Sequence, residues 1–445
     1  MEKIVISGGK PLCGRVKVSG AKNASLPLMA ASILSDEPLV LHNIPKLSDI
    51  TLMAELLTHH GVHISYDAAT QAYTFAALSI IDTTAPYEIV SKMRASIVVL
   101  GPMLARCGEA TVSLPGGCAI GTRPVNMHID GLRALGATVS IENGYIHAKA
   151  PKEGLVGTTI ILPFATVTGT ENILMAAVLA RGQTIIKNAA KEPEVCDLAK
   201  CLVKMGAHVE GIGTDTLVIS GRTHLNGATH HVIPDRIEAA TYAIAGAITY
   251  GDIILEGVVF DDLLAFWDSL LKAGVTVEKV ESENAAISSV TAHAEHRRDE
   301  ATNFLQFGVG IRVPAEIKGV DIMTEPYPGF PTDAQAQFMA LMTRCDGAAM
   351  ITETVFENRF MHVSELCRMC ANITIHNTSA LVRGVDQLVG ATVMATDLRA
   401  SVSLVLAGLA AKGETTIQRV YHIDRGYERI EQKLQTCGAM IERVR

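Results

Sequence analysis

Residues 22–34 read KNASLPLMAASIL, and they are the first copy of a pattern that runs through the chain. Small and apolar residues recur in this segment at the spacing of an α-helix. A strand-like stretch follows at residues 39–43, then a more polar helix at 50–60 and a further strand from residue 61. This order of elements predicts a repeated α/β unit.

The same order of elements recurs five more times. The later first helices begin near residues 94, 170, 236, 333 and 399. Because they are rich in Ala and Gly, they can pack closely, and we expect them to be buried under more polar second helices. A chain of 445 residues is long enough for two domains of three copies each. We therefore predict domains at 22–233 and at 1–21 plus 234–445, with an insertion at about 281–321.

Composition restricts the class of protein. Hydrophobic residues make up 48% of the chain and charged residues 19%, as in a well-packed globular protein. A net charge of -8 argues against a nucleic-acid surface, and no apolar stretch is long enough for a membrane span. We expect a cytoplasmic protein with no nucleic-acid or membrane partner. We expect a monomer, although the sequence does not determine the oligomeric state, and no His cluster has metal-ligand spacing.

Four cations stand at or near predicted helix starts: Lys22, Arg94, Arg236 and Arg399. A helix N-terminus is itself partly positive, so a cation there is destabilising unless a negative charge compensates it. Neighbouring carboxylates such as Asp235 or Asp397 could compensate, and so could a phosphate or carboxylate ligand. The recurrence of the pattern favours an anion-binding site.

Two further groups are candidates for chemistry. Residues 114–124 read LPGGCAIGTRP, a Gly- and Pro-rich loop that carries Cys118 and, five residues later, Arg123. A thiol beside a cation can be reactive, although a free Cys also packs as a small hydrophobic residue. Asp333, at the start of the fifth copy, could be a helix cap or a general base.

Long strings of this sequence resemble the UDP-N-acetylglucosamine enolpyruvyl transferases of the EPSP synthase family. They include SGAKNA at 19–24, LPGGCAIGTRP at 114–124, FPTDAQAQF at 330–338, ITETVFENRFMH at 351–362 and YHIDRGYERIE at 421–431. The resemblance implies an inside-out α/β barrel in each of two domains, with buried helices, solvent-facing sheets and closure over substrate. It also implies transfer of enolpyruvyl from phosphoenolpyruvate to the 3'-hydroxyl of UDP-N-acetylglucosamine, the first committed step of peptidoglycan synthesis, without metal or organic cofactor.

The resemblance also implies roles for individual residues. Cys118 would protonate the methylene carbon of phosphoenolpyruvate, and it is the residue that fosfomycin-type inhibitors alkylate in this family. Asp333 would accept the 3'-hydroxyl proton. Three cations would hold phosphate and carboxylate groups, with Arg399 close by: Lys22, Arg123 and Arg425. The remaining substrate contacts would come from Asn23, Arg94, Pro124, Val125, Asn126, Met127, Phe164, Ala165, Thr166, Val167, Val355 and Asp397.

Some positions depart from the family pattern. Asn126 stands where an Asp is expected to meet the uracil, and FATV at 164–167 lacks a Lys often found beside the nucleotide.

Three other functions remain as alternatives: a shikimate-pathway enolpyruvyl transferase, a nucleic-acid end-processing enzyme and a non-catalytic relative. The thiol loop argues against the first, the acidic charge against the second, and the presence of Cys118, Asp333 and Arg425 against the third.

Overall fold

Six four-stranded sheets with the same strand arrangement form the outer layers of this computed structural model. The structure describes residues 2–114, 125–281, 307–313 and 316–445. The described strands are β1 (Lys3–Ser7), β2 (Cys13–Lys17), β3 (Leu39–His42), β4 (His63–Asp67), β5 (Ala72–Ala76), β6 (Thr84–Ala85), β7 (Glu109–Ser113), β8 (Thr138–Glu142), β9 (Tyr145–Lys149), β10 (Thr159–Ile161), β11 (Gln183–Lys187), β12 (His208–Glu210), β13 (Thr216–Ser220), β14 (Ala228–His231), β15 (Asp252–Glu256), β16 (Thr276–Glu281), β17 (Phe307–Arg312), β18 (Ile322–Met323), β19 (Ala348–Thr352), β20 (Asn372–His376), β21 (Ser379–Arg383), β22 (Thr392–Met394), β23 (Glu414–Gln418) and β24 (Met440–Val444).

The helices alternate with these strands. The described α-helices are α1 (Lys22–Ala31), α2 (Ser48–His59), α3 (Tyr87–Val90), α4 (Leu100–Cys107), α5 (Asn126–Ala134), α6 (Val167–Ala177), α7 (Pro193–Lys204), α8 (Arg236–Ile248), α9 (Leu264–Lys272), α10 (Gln335–Met342), α11 (Val363–Arg368), α12 (Leu398–Ala410) and α13 (Ile430–Thr436). No helix in the described ranges is long and apolar enough to cross a membrane.

The chain forms two compact units. In their described parts, one consists of residues 20–114 and 125–233, and the other of residues 2–19, 234–281, 307–313 and 316–445. Each unit contains three sheets. In every sheet the first two strands are parallel, and the third and fourth are each antiparallel to the strand before. The α/β class and the sixfold repetition predicted from the sequence are confirmed.

Within each unit the repeats close into a ring, because each repeat gives its last strand to the next sheet. In the unit of residues 20–233 the sheet orders are β14-β3-β5-β4, β6-β7-β9-β8 and β10-β11-β13-β12, so that β14 returns to pair with β3. In the other unit they are β2-β15-β17-β16, β18-β19-β21-β20 and β22-β23-β1-β24. There the N-terminal strands β1 and β2 complete the ring.

The first helix of each repeat lies at the centre of its unit. In the unit that holds both chain ends, α8, α10 and α12 pack on one another, and residues 237–248, 335–342 and 399–410 are all buried. The strands outside them alternate between core and solvent: Ile4 and Ile6 of β1 are fully buried, whereas Lys3 and Ser7 are exposed. Burial of apolar side chains from both layers therefore stabilises each unit.

Close helix packing explains one of the glycines. A Cβ at Gly101 of α4 would lie 2.1 Å from the backbone oxygen of Asn172 in α6. The Gly101 N–H donates to Asn172 Oδ1 at 2.5 Å, and Asn172 Nδ2 donates to the Ile97 carbonyl at 2.9 Å. The two helices can approach this closely because position 101 has no side chain.

The fourth repeat is more regular than its sequence suggests. Strand β17 lies inside the stretch expected to be an insertion, yet it is the regular third strand of its sheet and pairs with β15 and β16. The sequence did not predict this strand, because the residues that precede it are charged and small and interrupt the repeated pattern. Residues 282–306 and 314–315, which belong to the expected insertion, lie outside the described residues.

Candidate active site

Lys22 is the first residue of α1 and is buried. Its Nζ lies 3.2 Å from Oδ2 of Asp49, which is itself buried near the start of α2. Ala21 precedes the helix and supplies no side-chain cap, so the Asp49 carboxylate provides negative charge where the helix end and the Lys22 ammonium are both positive. Asn23, the next residue, is half-buried.

Arg94 begins a 3-10 turn, Arg94–Val99, rather than the α-helix predicted there; α4 follows directly. It is half-buried. Burial and the positive charge of Arg94 lower the pKa of His128 in α5 to about 4. Because Asn172 Nδ2 donates to His128 Nδ1 at 2.9 Å, the ring is a neutral acceptor there. Because the His128 ring is neutral, Arg94 is the positively charged group of this pair.

The other predicted nucleotide contacts in the unit of residues 20–233 lie at or just before the first turns of α5 and α6. Among the described residues, neither Val125 before α5 nor Thr166 before α6 caps its helix with a side chain, and the first backbone N–H groups of a helix can donate to a ligand. Val125 is buried and Phe164 is 57% exposed. Of the other predicted residues, Asn126 is exposed, and the half-buried ones are Met127, Ala165, Thr166 and Val167.

Asp333 lies between two arginines in the other compact unit. Arg359 Nη2 is 2.6 Å from Oδ1 of Asp333, and Arg399 Nη2 is 3.0 Å from Oδ2. The arginine side chains are 6% and 5% exposed, whereas that of Asp333 keeps 25% of its surface exposed. The carboxylate is thus held on one side and accessible on the other.

The charge state of Asp333 follows from these contacts. Burial alone raises the pKa of a carboxyl group, but the guanidinium groups of Arg399 and Arg359, with their hydrogen bonds, hold the pKa of Asp333 well below its usual range. Asp333 is therefore ionised at neutral pH and can only accept hydrogen bonds. It does not cap a helix, because the turn Thr332–Ala334 and α10 have no side-chain cap.

The caps lie elsewhere. Asp397 Oδ1 accepts from the N–H groups of Arg399 and Ala400 at 2.9 and 3.0 Å at the start of α12. Asp235 caps α8 in the same way. The carboxylates of Asp397 and Asp235 therefore offset the positive ends of α12 and α8. The side chains of Arg399 and Lys22 pair with other carboxylates, Asp333 and Asp49.

Arg425 ends the 3-10 turn Val420–Arg425 and is half-buried. Burial first, and then the charge of Arg425, lower the pKa of His422, whereas Asp397 raises it. Arg425 and Asp397 therefore both influence the pKa of His422.

Val355 is half-buried, and its N–H donates to the carboxylate of Glu353 at 2.8 Å.

Three predicted site residues, Cys118, Arg123 and Pro124, lie outside the described residues. Within the described ranges no group of three His, Cys, Asp or Glu side chains is arranged to hold a metal ion.

Comparison with known proteins covers almost the whole chain. The profile of the family EPSP synthase (3-phosphoshikimate 1-carboxyvinyltransferase) matches residues 6–434. The chain belongs to the EPSP synthase family. Two family members named UDP-N-acetylglucosamine 1-carboxyvinyltransferase are similar over the whole chain. The protein from Rhodospirillum centenum is 54% identical over 100% of this chain and 99% of its own. That from Gluconacetobacter diazotrophicus is 56% identical over 100% of both.

Two solved structures have a fold similar to that of this chain. The enolpyruvyl transferase NikO from Streptomyces tendae has a TM-score of 0.84 at 24% identity, over 100% of this chain and 99% of its own. EPSP synthase from Acinetobacter baumannii has a TM-score of 0.74 at 16% identity over 100% of both chains. At these identities the likeness shows the fold, and it confirms the predicted architecture of two repeated α/β halves.

Sequence reasoning missed several residues around the family's candidate site. Arg359 lies in the string ITETVFENRFMH but was not singled out, although it makes the shorter of the two ion pairs with Asp333. Tyr427, whose hydroxyl accepts from Arg399 Nη1 at 3.1 Å, lies in the string YHIDRGYERIE and was not singled out either. Arg359 follows Glu357 and Asn358 in a mixed polar and apolar string, so no local pattern in the sequence marks it.

Proposed function

We propose that this chain transfers the enolpyruvyl group of phosphoenolpyruvate to the 3'-hydroxyl of UDP-N-acetylglucosamine and releases phosphate, the first committed step of peptidoglycan synthesis. The observation that carries the proposal is the 54–56% identity, over full length in both directions, to proteins named for this activity. We infer that it acts in the cytoplasm, as a monomer and without a cofactor.

The reaction needs an acid and a base. In the addition step, the Cys118 thiol donates its proton to the methylene carbon of phosphoenolpyruvate, and the 3'-oxygen bonds to the neighbouring carbon. In the elimination step the methyl group returns a proton to the Cys118 thiolate, the carbon–carbon double bond re-forms, and the carbon–oxygen bond to phosphate breaks. The two steps leave a carboxyvinyl ether and inorganic phosphate. Protonation of the methylene carbon makes the neighbouring carbon electrophilic, so that the 3'-hydroxyl can attack it.

Asp333 is suited to accept the hydroxyl hydrogen. Its low pKa makes it a weak base towards a free hydroxyl, but it also keeps the carboxylate ionised and ready to accept a hydrogen bond. The hydroxyl becomes acidic only as its oxygen bonds to carbon, and the proton moves to Asp333 at that stage. The 25% of its surface that stays exposed provides the approach for the sugar.

The cations supply anion binding. We assign the phosphate and carboxylate of phosphoenolpyruvate to Lys22, Arg123 and Arg425, with Arg399 nearby. A buried ammonium such as that of Lys22 is little screened by water, so an anion gains more from it than from a surface lysine. Such groups stabilise the charge that develops as phosphate leaves.

The sugar nucleotide takes the remaining positions. We assign it to Asn23, Arg94, Asp333 and Val355, with residues 124–127 and 164–167 and the end of α12 at Asp397. The uncapped first turns of α5 and α6 favour groups that accept backbone hydrogen bonds, such as uracil carbonyls and diphosphate oxygens.

Phosphate release from phosphoenolpyruvate tests the proposal, with UDP-N-acetylglucosamine and shikimate 3-phosphate offered separately as acceptors. We expect release that depends on UDP-N-acetylglucosamine. Release that depends on shikimate 3-phosphate would assign the chain to the activity after which the family is named. Release with neither acceptor would refute transfer altogether.

A further inference from the structure

Glu353 follows the last residue of β19, and its carboxylate is buried with 1% of the residue exposed. Its Oε1 accepts from the Thr324 hydroxyl at 2.8 Å and from the N–H groups of Val355 and Phe356 at 2.8 and 3.0 Å. Its Oε2 accepts from the Thr332 hydroxyl at 2.8 Å. One buried carboxylate therefore joins the loop after β19 to the turn that carries Asp333.

All four of these partners donate to Glu353. Two are backbone N–H groups. The other two are hydroxyl groups: Thr332 Oγ1 accepts from Arg359 Nη1 at 2.8 Å and Thr324 Oγ1 accepts from the Thr354 N–H at 2.9 Å, and each gives its own hydrogen to Glu353. A side chain with acceptors alone fits position 353. A glutamine there would replace one of the two acceptor oxygens by an NH₂ group, so at least one of these donors would lose its acceptor.

The contacts continue from Glu353 to Asp333. Thr332 Oγ1 holds one arm of the Arg359 guanidinium, and the other arm donates to Asp333 Oδ1 at 2.6 Å. Because a guanidinium is planar and rigid, fixing Nη1 fixes the direction of Nη2. The orientation of the Asp333 carboxylate is therefore set from one side by Glu353, through Thr332 and Arg359.

A separate path fixes the other arginine. Arg399 Nη1 donates to the Tyr427 hydroxyl at 3.1 Å, which lies 2.8 Å from Thr241 Oγ1. Thr241 donates its own hydrogen to the Ile237 carbonyl at 2.8 Å, so Tyr427 donates to Thr241. Arg399 thus stays in place when the path through Glu353 is broken, and a defect at position 353 is specific to the Arg359 side.

We propose that Glu353 is a positioning residue for the transfer reaction, which aims the Asp333 carboxylate at the attacking hydroxyl through Thr332 and Arg359. The inference rests on the proposed function. Glu353 itself is buried beneath the turn and needs no contact with either substrate. Its effect is expected on the chemical step, because a small misalignment of a reacting group slows chemistry more than it weakens binding.

Four variants test the inference in the full-length chain: Glu353→Gln, Thr332→Val, Thr332→Ser and the double variant Glu353→Gln/Thr332→Val. Steady-state phosphate release gives kcat and KM for both substrates, and thermal unfolding gives the folded fraction by which kcat is normalised. We expect Glu353→Gln and Thr332→Val each to lower kcat by about 10- to 100-fold with KM for phosphoenolpyruvate nearly unchanged. Thr332→Ser, which keeps the hydroxyl, should retain nearly all of the wild-type kcat.

The double variant separates positioning from stability. If Glu353 acts through Thr332, the double variant has about the kcat of the slower single variant, because both changes break one path. Asp321→Asn is the matched control: Asp321 accepts the Met350 N–H at 2.7 Å in the same sheet but is exposed and does not contact the Asp333 turn. Its kcat should equal that of the wild type.

Three results would overturn the inference: multiplicative losses in the double variant, a loss in Thr332→Ser equal to that in Thr332→Val, or a Glu353→Gln enzyme of wild-type kcat after normalisation. Failure of the proposed function is recognised separately. In that case the wild-type chain itself shows no release dependent on UDP-N-acetylglucosamine, whatever the variants do.

Discussion

Replacing His362 should remove a large part of the acid sensitivity of the unit that holds Asp333. His362 precedes α11 and is 1% exposed, with Nε2 3.2 Å from the sulfur of Met339. Burial lowers its pKa to about 4; the carboxylate of Asp397 opposes the shift and the charge of Arg359 adds to it. The folded chain therefore keeps this ring neutral at pH values where the unfolded chain protonates it.

The sign and size of the effect follow from proton linkage. In the unfolded chain the ring titrates near its ordinary pKa of 6.5, and in the folded chain near 4. Stability from this group is complete above about pH 6.5 and is lost as the pH falls towards 4, because the unfolded state binds the proton first. A difference of roughly 2.5 pKa units corresponds to about 3 kcal/mol in the free energy of unfolding.

The assay uses urea unfolding followed by the fluorescence of Trp267, the one tryptophan in the sequence, which is buried in the same compact unit as His362. Wild type and His362→Leu are compared from about pH 7 to about pH 4.5. The variant should lose about 2 to 3 kcal/mol less than the wild type over this range. Asp333 does not interfere, since its depressed pKa contributes stability that is lost only below about pH 4. Equal pH dependence in both proteins would refute the reasoning.

Three further substitutions probe other contacts. Gly101→Ala should destabilise the chain by about 1–3 kcal/mol in thermal unfolding, because the new methyl group would lie 2.1 Å from the Asn172 backbone oxygen; an unchanged midpoint would contradict the packing argument. Arg399→Lys should lower kcat by about 10- to 100-fold, since an ammonium cannot replace the guanidinium that orients Asp333; a wild-type kcat would show that this pair is dispensable. Cys118→Ala should abolish phosphate release while unfolding as the wild type does, and Cys118→Asp should keep some activity and resist thiol-alkylating inhibitors; full activity in Cys118→Ala would remove the acid assignment.

Local pattern was enough to predict the repeated fold. Ala-rich helices at regular intervals, each followed by a short strand and a more polar helix, predict first helices that are buried, and residues 237–248, 335–342 and 399–410 of α8, α10 and α12 are all buried. Where composition hid the pattern, as before β17, the prediction of an insertion extended over a regular strand. Element ends also moved by one or two residues: the helix predicted at 50–60 is α2, Ser48–His59.

The contacts of the candidate site could be predicted only in part. The sequence marked Lys22, Asp333 and Arg399 as unusual, because a cation at a helix start and an isolated carboxylate need explaining. It could not supply their partners, since Asp49 is 27 residues from Lys22 and Arg399 is 66 residues from Asp333. Those pairings depend on how the repeats pack within each unit, which local spacing does not encode.

The most direct test of the account is the reaction run in D₂O with phosphoenolpyruvate and UDP-N-acetylglucosamine, with the product isolated for mass spectrometry and NMR. Addition and elimination pass through a methyl group that takes one hydrogen from solvent. The account predicts a sugar nucleotide with a carboxyvinyl ether at its 3'-oxygen and deuterium in the vinyl methylene. A carboxyvinyl ether without deuterium would contradict protonation by Cys118, and no ether on this acceptor would contradict the proposed function.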